Sequence, residues 1–210
     1  NNYTGNTTIS SGATLNVSGS LGNGSYAGKV GNDGTLIYSG SQDQTLSGVI
    51  SGVGQITKTN ASSTNALILT GANTYTGNLS IQDDAGTVSV RGSGVLGSGT
   101  YAGNISIGAN STLGMNTTSS QTLSGVITGA GQLRKDNTGT LTLTNVNSTY
   151  SGGTTILNGT IVVPAGQNLT LSGGDNVTLT NPGAVNITKG PVGTGSVTKL
   201  AAGTFTVTGT

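Results

Sequence analysis

The sequence predicts an all-β solenoid, a right-handed parallel β-helix of about 8–10 coils. Three observations predict it: long blocks of the chain recur in the same order, its apolar residues sit in short alternating runs, and none of them keeps a helical spacing. The clearest repeat is Gln121–Gly153, QTLSGVITGAGQLRKDNTGTLTLTNVNSTYSGG, whose near copy is Gln44–Gly77, QTLSGVISGVGQITKTNASSTNALILTGANTYTG. Tyr3, Tyr75 and Tyr150 open the blocks NNYTGNTTI, NTYTGNLSI and STYSGGTTI and lie 72 and 75 positions apart. Tyr26 and Tyr101, in GNGSYAG and GSGTYAG, lie 75 apart, and the two QTLSGVI blocks 77. A shorter, degenerate third copy starts at Gly193. The expected organisation is a single solenoid over 1–210, cut from something longer, with units at about 1–72, 73–147 and 148–210.

Within a unit the strands follow from period-2 patterns bounded by Gly, Asn and Ser. In the first they are TLNV (Thr14–Val17), TLIY (Thr35–Tyr38), LSGVI (Leu46–Ile50), GQITK (Gly54–Lys58) and ALIL (Ala66–Leu69). In the second they include TVSV (Thr87–Val90), NISI (Asn104–Ile107), GQLRK (Gly131–Lys135) and TLTLT (Thr140–Thr144), where Leu141 and Leu143 are expected to point inward. Such pieces arrive about every ten residues, so a unit of two or three strands per coil makes roughly three coils of about 20–30 residues. Gly and Asn then serve the corners where φ turns positive, with Gly48 and Gly125 as equivalent corners. An antiparallel sandwich would need a two-residue Asn-Gly or Asp-Gly hairpin between most strands, and only Asn23-Gly24, Asp33-Gly34 and Asn158-Gly159 offer one. The pattern loosens after Gly159, where Pro164, Pro182 and Pro191 fall between strands.

Composition supports a narrow repetitive core: 38 glycines, 6% charged residues and 3% aromatics, against about 25% charged in ordinary globular chains. The formal net charge of +1, with no basic cluster, gives no reason to expect a nucleic-acid partner. There is no cysteine and no apolar run of membrane-spanning length, so the segment is not itself expected to insert in a membrane.

Chemistry is scarce. Without His, Cys or Glu, nucleophile–histidine pairs and ordinary zinc sites are excluded, and the chain is read as no enzyme and as needing no cofactor or metal. Of the six aspartates only Asp83 and Asp84 are adjacent, and strand neighbours face opposite ways, which speaks against a paired-carboxylate glycan-cleaving groove. A weak Ca²⁺ site at that pair is set aside in favour of a solvated turn. Lys58, Lys135 and Lys199 end equivalent strands. Whole units apart, they would stack roughly 14 Å from one another, and the plain reading is a strand-end charge that hinders edge association. For Tyr3, Tyr75 and Tyr150, as for Tyr26 and Tyr101, a sugar-stacking row is conceivable; the plainer reading packs each ring over its own corner with the hydroxyl in solvent. The many Asn-x-Ser/Thr triplets are what chance gives in this composition. The Thr-rich run Thr138–Thr144 is too local for an ice-binding face.

One ordered string joins these blocks: LSGVI-x-G-x-G-x-L-x-K, then LTLTG or LTLTN, then N-x-Y-x-G-x-T-x-I. It is carried by Leu46–Lys58, Leu67–Gly71 and Asn73–Ile81, and again by Leu123–Lys135, Leu141–Asn145 and Ser148–Ile156. The string resembles the passenger-associated repeat of bacterial autotransporters. That resemblance implies the right-handed parallel β-helix, exported to the bacterial cell surface through an outer-membrane translocator elsewhere in the full chain. It further implies a stalk that assists secretion and folding and presents or mediates adhesion, with self-association or a host surface protein or glycan as partners. A glycan-active or ligand-binding β-helix is the alternative. The third copy departs from the pattern, Ala201-Ala202-Gly203-Thr204-Phe205 standing where a Leu-rich strand should be.

Overall fold

A computed structural model describes residues 1–59, 64–145 and 147–162, and the statements that follow concern these residues. The chain winds with three strand positions per turn. The first turn is β1 (Thr7–Ile9), β2 (Thr14–Val17) and β3 (Ser25–Tyr26); the second is β4 (Val30–Asn32), β5 (Thr35–Tyr38) and β6 (Gln44–Leu46). The third is β7 (Ile50–Ser51), β8 (Gln55–Lys58) and β9 (Ala66–Leu69). The fourth begins with the segment 72–76, held by Thr74 N and Thr76 N donating to Ile50 O and Gly52 O, and continues as β10 (Leu79–Ile81) and β11 (Thr87–Gly92). The fifth is β12 (Thr100–Tyr101), β13 (Ile105–Ile107) and β14 (Thr112–Thr117); the sixth is β15 (Gln121–Leu123), β16 (Ile127–Thr128) and β17 (Gln132–Asp136). The seventh contains β18 (Thr140–Leu143), the segment 148–151 and β19 (Thr154–Ile156), after which β20 (Thr160–Val162) opens the next.

All strand pairs are parallel, each strand lying on the one a turn earlier. Turn length varies, from the step that sets Thr45 on Ser25 to the longer one that sets Ile105 on Leu79. The strands make three faces. β1-β4-β7 and, beyond 72–76, β12-β15-β18-β20 form the first; β2-β5-β8-β10-β13-β16 form the second; β3-β6-β9-β11-β14-β17-β19 form the third. The molecule is therefore a parallel β-solenoid of about seven turns. The expected 8–10 coils counted in residues 163–210, which lie outside the described ones, as do the three prolines, Lys199 and the degenerate third copy.

Alternation decides what goes inside. Leu36, Ile56, Leu79, Ile105 and Ile127 stack as one buried ladder on the second face. Leu67, Val88, Leu113 and Leu133 stack as another on the third. Leu141 (1% exposed) lies in register between Gln121 and Ile161, and Leu143 opposite Leu123. One buried leucine or isoleucine side chain contributes about 1.5–3 kcal/mol, so many small ladders replace a single aromatic core.

The repeat does not contain a whole number of turns. From β1 to β10, and again from β10 to β19, the chain passes ten strand positions, which on three faces is three and one-third turns. Each unit consequently starts one face further round. The ladder Val17-Tyr38-Lys58-Ile81 on the second face recurs as Val90-Met115-Lys135-Ile156 on the third. The corner glycines show the same step: Gly48 sits over Gly28 in one column, whereas its equivalent Gly125 sits over Gly103 in the next. This corrects the expectation that unit-equivalent residues stack directly above one another, because a ten-position unit cannot close on itself over three faces.

Candidate functional site

The repeated residues singled out in the sequence sit at the corners and in the ladders. Lys58 and Lys135 are fully buried, so the reading of them as exposed strand-end charges is overturned. Both occupy inward ladder positions and carry their ammonium groups to a corner where backbone carbonyls gather. Lys58 Nζ donates to Asn65 Oδ1 at 2.7 Å and to Ala85 O, with the Tyr38 ring centroid 5.7 Å away. Lys135 Nζ donates to Asp136 O at 2.8 Å and Asn137 O at 2.7 Å. A carbonyl cluster of this kind at a turn suits a cation because carbonyl oxygens at a bend cannot all find backbone donors.

The tyrosines are also inside. Tyr75 and Tyr101 are wholly buried and Tyr26 likewise, Tyr150 is nearly so, and only Tyr3 is substantially exposed at 44%. The expectation of hydroxyls in solvent fails because these corners are deep enough to take the whole phenol. Tyr26 Oη donates to Gly5 O and Tyr101 Oη to Gly77 O, each tying its corner to the turn before. Tyr150 and Thr154 hydroxyls share a 2.6 Å bond. Tyr75 packs against Tyr101 with centroids 5.3 Å apart, and its buried Oη has no hydrogen-bond partner among the described residues. Tyr75→Phe is therefore expected to leave the melting temperature unchanged or slightly higher, while Tyr101→Phe should cost about 1 kcal/mol. Chemical denaturation of the two variants side by side checks the contrast.

Burial also sets the titration behaviour. Desolvation lowers the Lys58 ammonium from 10.5 to about 8, Asp43 opposing it, and lowers Lys135 in the same way. Burial raises Tyr101 to about 12, and raises Tyr38, Tyr75 and Tyr150. Between about pH 8 and 10 the unfolded chain holds lysine protons that the native chain has released, so stability rises with pH. Above pH 10 the unfolded tyrosines ionise while native ones stay protonated, so stability falls. Melting temperature across pH 6–11 should rise from about pH 8 and peak at about 10, and Lys58→Met should flatten the rising limb.

Two further corner residues carry no signal in the sequence except that they head the repeated blocks. Gln44 accepts from Leu21 N at 2.7 Å and returns a bond to Leu21 O at 3.1 Å; Gln121 does the same with Leu96 at 2.7 and 3.0 Å. Asn73 Oδ1 accepts from Ile50 N at 2.9 Å, and its equivalent Ser148 from Ile127 N at 3.1 Å. Each clamps one turn to its neighbour. Asp83 and Asp84 are used the same way, accepting from Ala109 N at 2.8 Å and Asn110 Nδ2 at 2.9 Å. Among the described residues no three His, Cys, Asp or Glu side chains group to hold a metal ion, and no helix is long and apolar enough to cross a membrane.

Among the depressions of the outer surface is a polar groove of about 280 Å³ on the third face, where β11 and β14 reach six residues each. Its floor is the outward column Ser89-Gly114-Arg134, flanked by Thr87-Thr112-Gln132 on one side and Arg91-Asn116-Asp136 on the other. Arg91 Nε donates to Ser89 Oγ at 3.0 Å, and Arg134 lies 3.4 Å from the Asp136 carboxylate.

A solenoid built of corner-clamped turns stacked along one axis defines an extended, stalk-like scaffold. The passenger-associated transport repeat family model matches residues 57–90 and 133–163, two stretches that each include a Lys ladder strand and the Tyr–Gly corner after it. Over an alignment of 219 residues the chain is 30% identical to the adhesin BmaC autotransporter of Brucella suis biovar 1 (strain 1330). That alignment covers 76% of the chain and 6% of the relative's length, so the chain spans only a small part of that protein. No solved structure matches the chain. The chain is a segment of an autotransporter passenger with passenger-associated transport repeats, a class exported to the bacterial cell surface.

Proposed function

We propose that this segment is a non-enzymatic β-helical stalk that assists secretion and surface folding of its passenger and presents or mediates adhesion, self-association included. The observation that carries the reading is the parallel pairing of each turn with only its neighbours, continuous along the second and third faces. A turn leaving a narrow translocator needs only the turn before it as template, so folding outside proceeds rung by rung and helps draw the chain out. The adhesive half of the reading rests on the relative, which is named an adhesin. Passengers lacking residues 73–147, the second unit, are expected to reach the surface several-fold less, and cells displaying the intact segment to adhere or clump where cells without it do not. Undiminished display together with undiminished adhesion in the deletion would overturn the proposal.

A further inference from the structure

The repeat provides an internal comparison for the groove on the third face. The strands β11, β14 and β17 of unit two are the equivalents of β2, β5 and β8 in unit one, which form the second face. There the outward column is Asn16-Ile37-Thr57, in place of Ser89-Gly114-Arg134. Ser18 stands where unit two has Arg91. The groove is therefore not a by-product of the repeat: unit two has cleared its floor and placed both of the chain's arginines there.

Gly114 is the residue that makes the floor. Its φ is not of the kind only glycine adopts, and the nearest atoms a Cβ built on it would meet are those of Ser89 beneath it, from 3.3 Å outward. Nothing in the backbone demands glycine. A glycine in a strand interior weakens the strand, and here, where the register runs through Gly114 without a bulge, the bare position leaves room for a ligand to approach. Beside it, Arg91 is held by one bond from Nε to Ser89 Oγ, which turns the guanidinium over the floor, and its two terminal nitrogens make no hydrogen bond among the described residues. Arg134, two rungs on and about 10 Å along the axis, closes the far side with its charge shared with Asp136. Asp43, at the near edge, is occupied by Ala66 N at 2.8 Å.

We propose that this groove binds an anionic oligosaccharide, with a sugar carboxylate on Arg91 and ring hydroxyls on the flanking Thr, Asn and Gln side chains. A guanidinium offers a carboxylate two parallel charge-assisted bonds, and the lining is otherwise hydroxyl and amide. The apolar members, Ala66 and Met115, are buried, so the accessible lining is polar. The inference rests on the adhesive reading above and names a ligand class for it.

The test uses the full 210-residue chain and oligogalacturonate as probe, by calorimetric titration at low and high salt, with the methyl-esterified oligomer and a Glu-rich peptide as comparators. The expected result is salt-sensitive binding of the acid form, tenfold or more weaker for the ester and for the peptide. Arg91→Ala and Gly114→Ile should each weaken it tenfold or more with unchanged melting curves, the latter restoring the side chain that unit one carries. No binding, equal binding of the ester, equal binding of the peptide, or affinities within twofold for both variants would each overturn it. Cells displaying Arg91→Ala separate the two proposals. If uronate binding proves absent and these cells still adhere, the groove assignment falls and the stalk reading stands; if no displayed form adheres at all, the adhesive reading falls as well.

Discussion

Leu141→Asp is expected to unfold the last turns of the solenoid. Leu141 is 1% exposed and stacked between Gln121 and Ile161, so the carboxylate would enter a ladder with no cation beside it in register. A lone buried charge costs several kcal/mol even after the structure relaxes around it, about 5 kcal/mol or more. Because each turn pairs only with its neighbours, the loss would be local: β15, β18 and β20 should lose hydrogen-exchange protection while β1 to β9 keep theirs. Limited proteolysis should cut between 120 and 162 in the variant. Thr142→Asp, one residue on and facing outward, is the control and should change the melting temperature by a degree or two at most. Equal melting curves for Leu141→Asp and the parent would mean that Leu141 does not face the core.

Gly125→Ala should be nearly as damaging for a different reason. A Cβ at Gly125 would lie 2.1 Å from Gly103 O and 2.8 Å from Ala102 O, so the obstacle is the backbone of the turn before and not a side chain that could move aside. The two turns would have to part, straining the bond from Ser124 N to Tyr101 O (2.8 Å) and loosening the Tyr101 corner. Overpacking of this kind costs about 3 kcal/mol. Gly48→Ala, with its Cβ 2.1 Å from Gly28 O, should behave alike on the neighbouring column. Gly114→Ala, where the nearest obstacle is the Ser89 hydroxyl at 3.3 Å, should instead be neutral or gain about 0.5–1 kcal/mol through the unfolded chain. Denaturant titration of the three glycine variants separates close backbone approach from mere composition.

Much of this architecture is legible in the residues. Alternating Thr-Leu-Thr-Leu and Gln-Ile-Thr-Lys segments between glycines give their strands to within a residue or two, and the repeat gives the solenoid; the run Leu46–Ile50, expected as one strand, instead turns a corner between β6 and β7. What sequence alone does not yield is the number of turns per unit. A repeat of this length suits three turns as well as three and one-third, because turn length differs between the Ser25–Thr45 step and the Leu79–Ile105 step, with loops that composition does not count. The lysines mislead for a related reason. Charge ordinarily marks the surface, yet Lys58 follows Ile56 by two, and period 2 places it on the same inward face. Its ammonium is tolerated only because the corner supplies oxygens that the sequence does not display. Tyr75 and Tyr101 look half-solvated in the sequence, since nothing local reveals how deep a corner is. The groove is invisible there because Arg91, Gly114 and Arg134 are far apart along the chain and meet only when stacked turns bring their outward columns together.

The one-face advance of each unit can be tested directly with cysteine pairs, the native chain having no cysteine. Ser80, at the start of unit two, lies in register with Thr57 on the second face, so Thr57→Cys with Ser80→Cys should oxidise to a disulfide within the Cα separation such a bond requires, about 4.4–6.8 Å. A unit of whole turns would instead place Ser80 over Ser51, on the face of β7. A rapid mobility shift on non-reducing gels is predicted for the 57/80 pair and none for 51/80. Cross-linking of 51/80 with 57/80 left reduced would contradict the one-face advance.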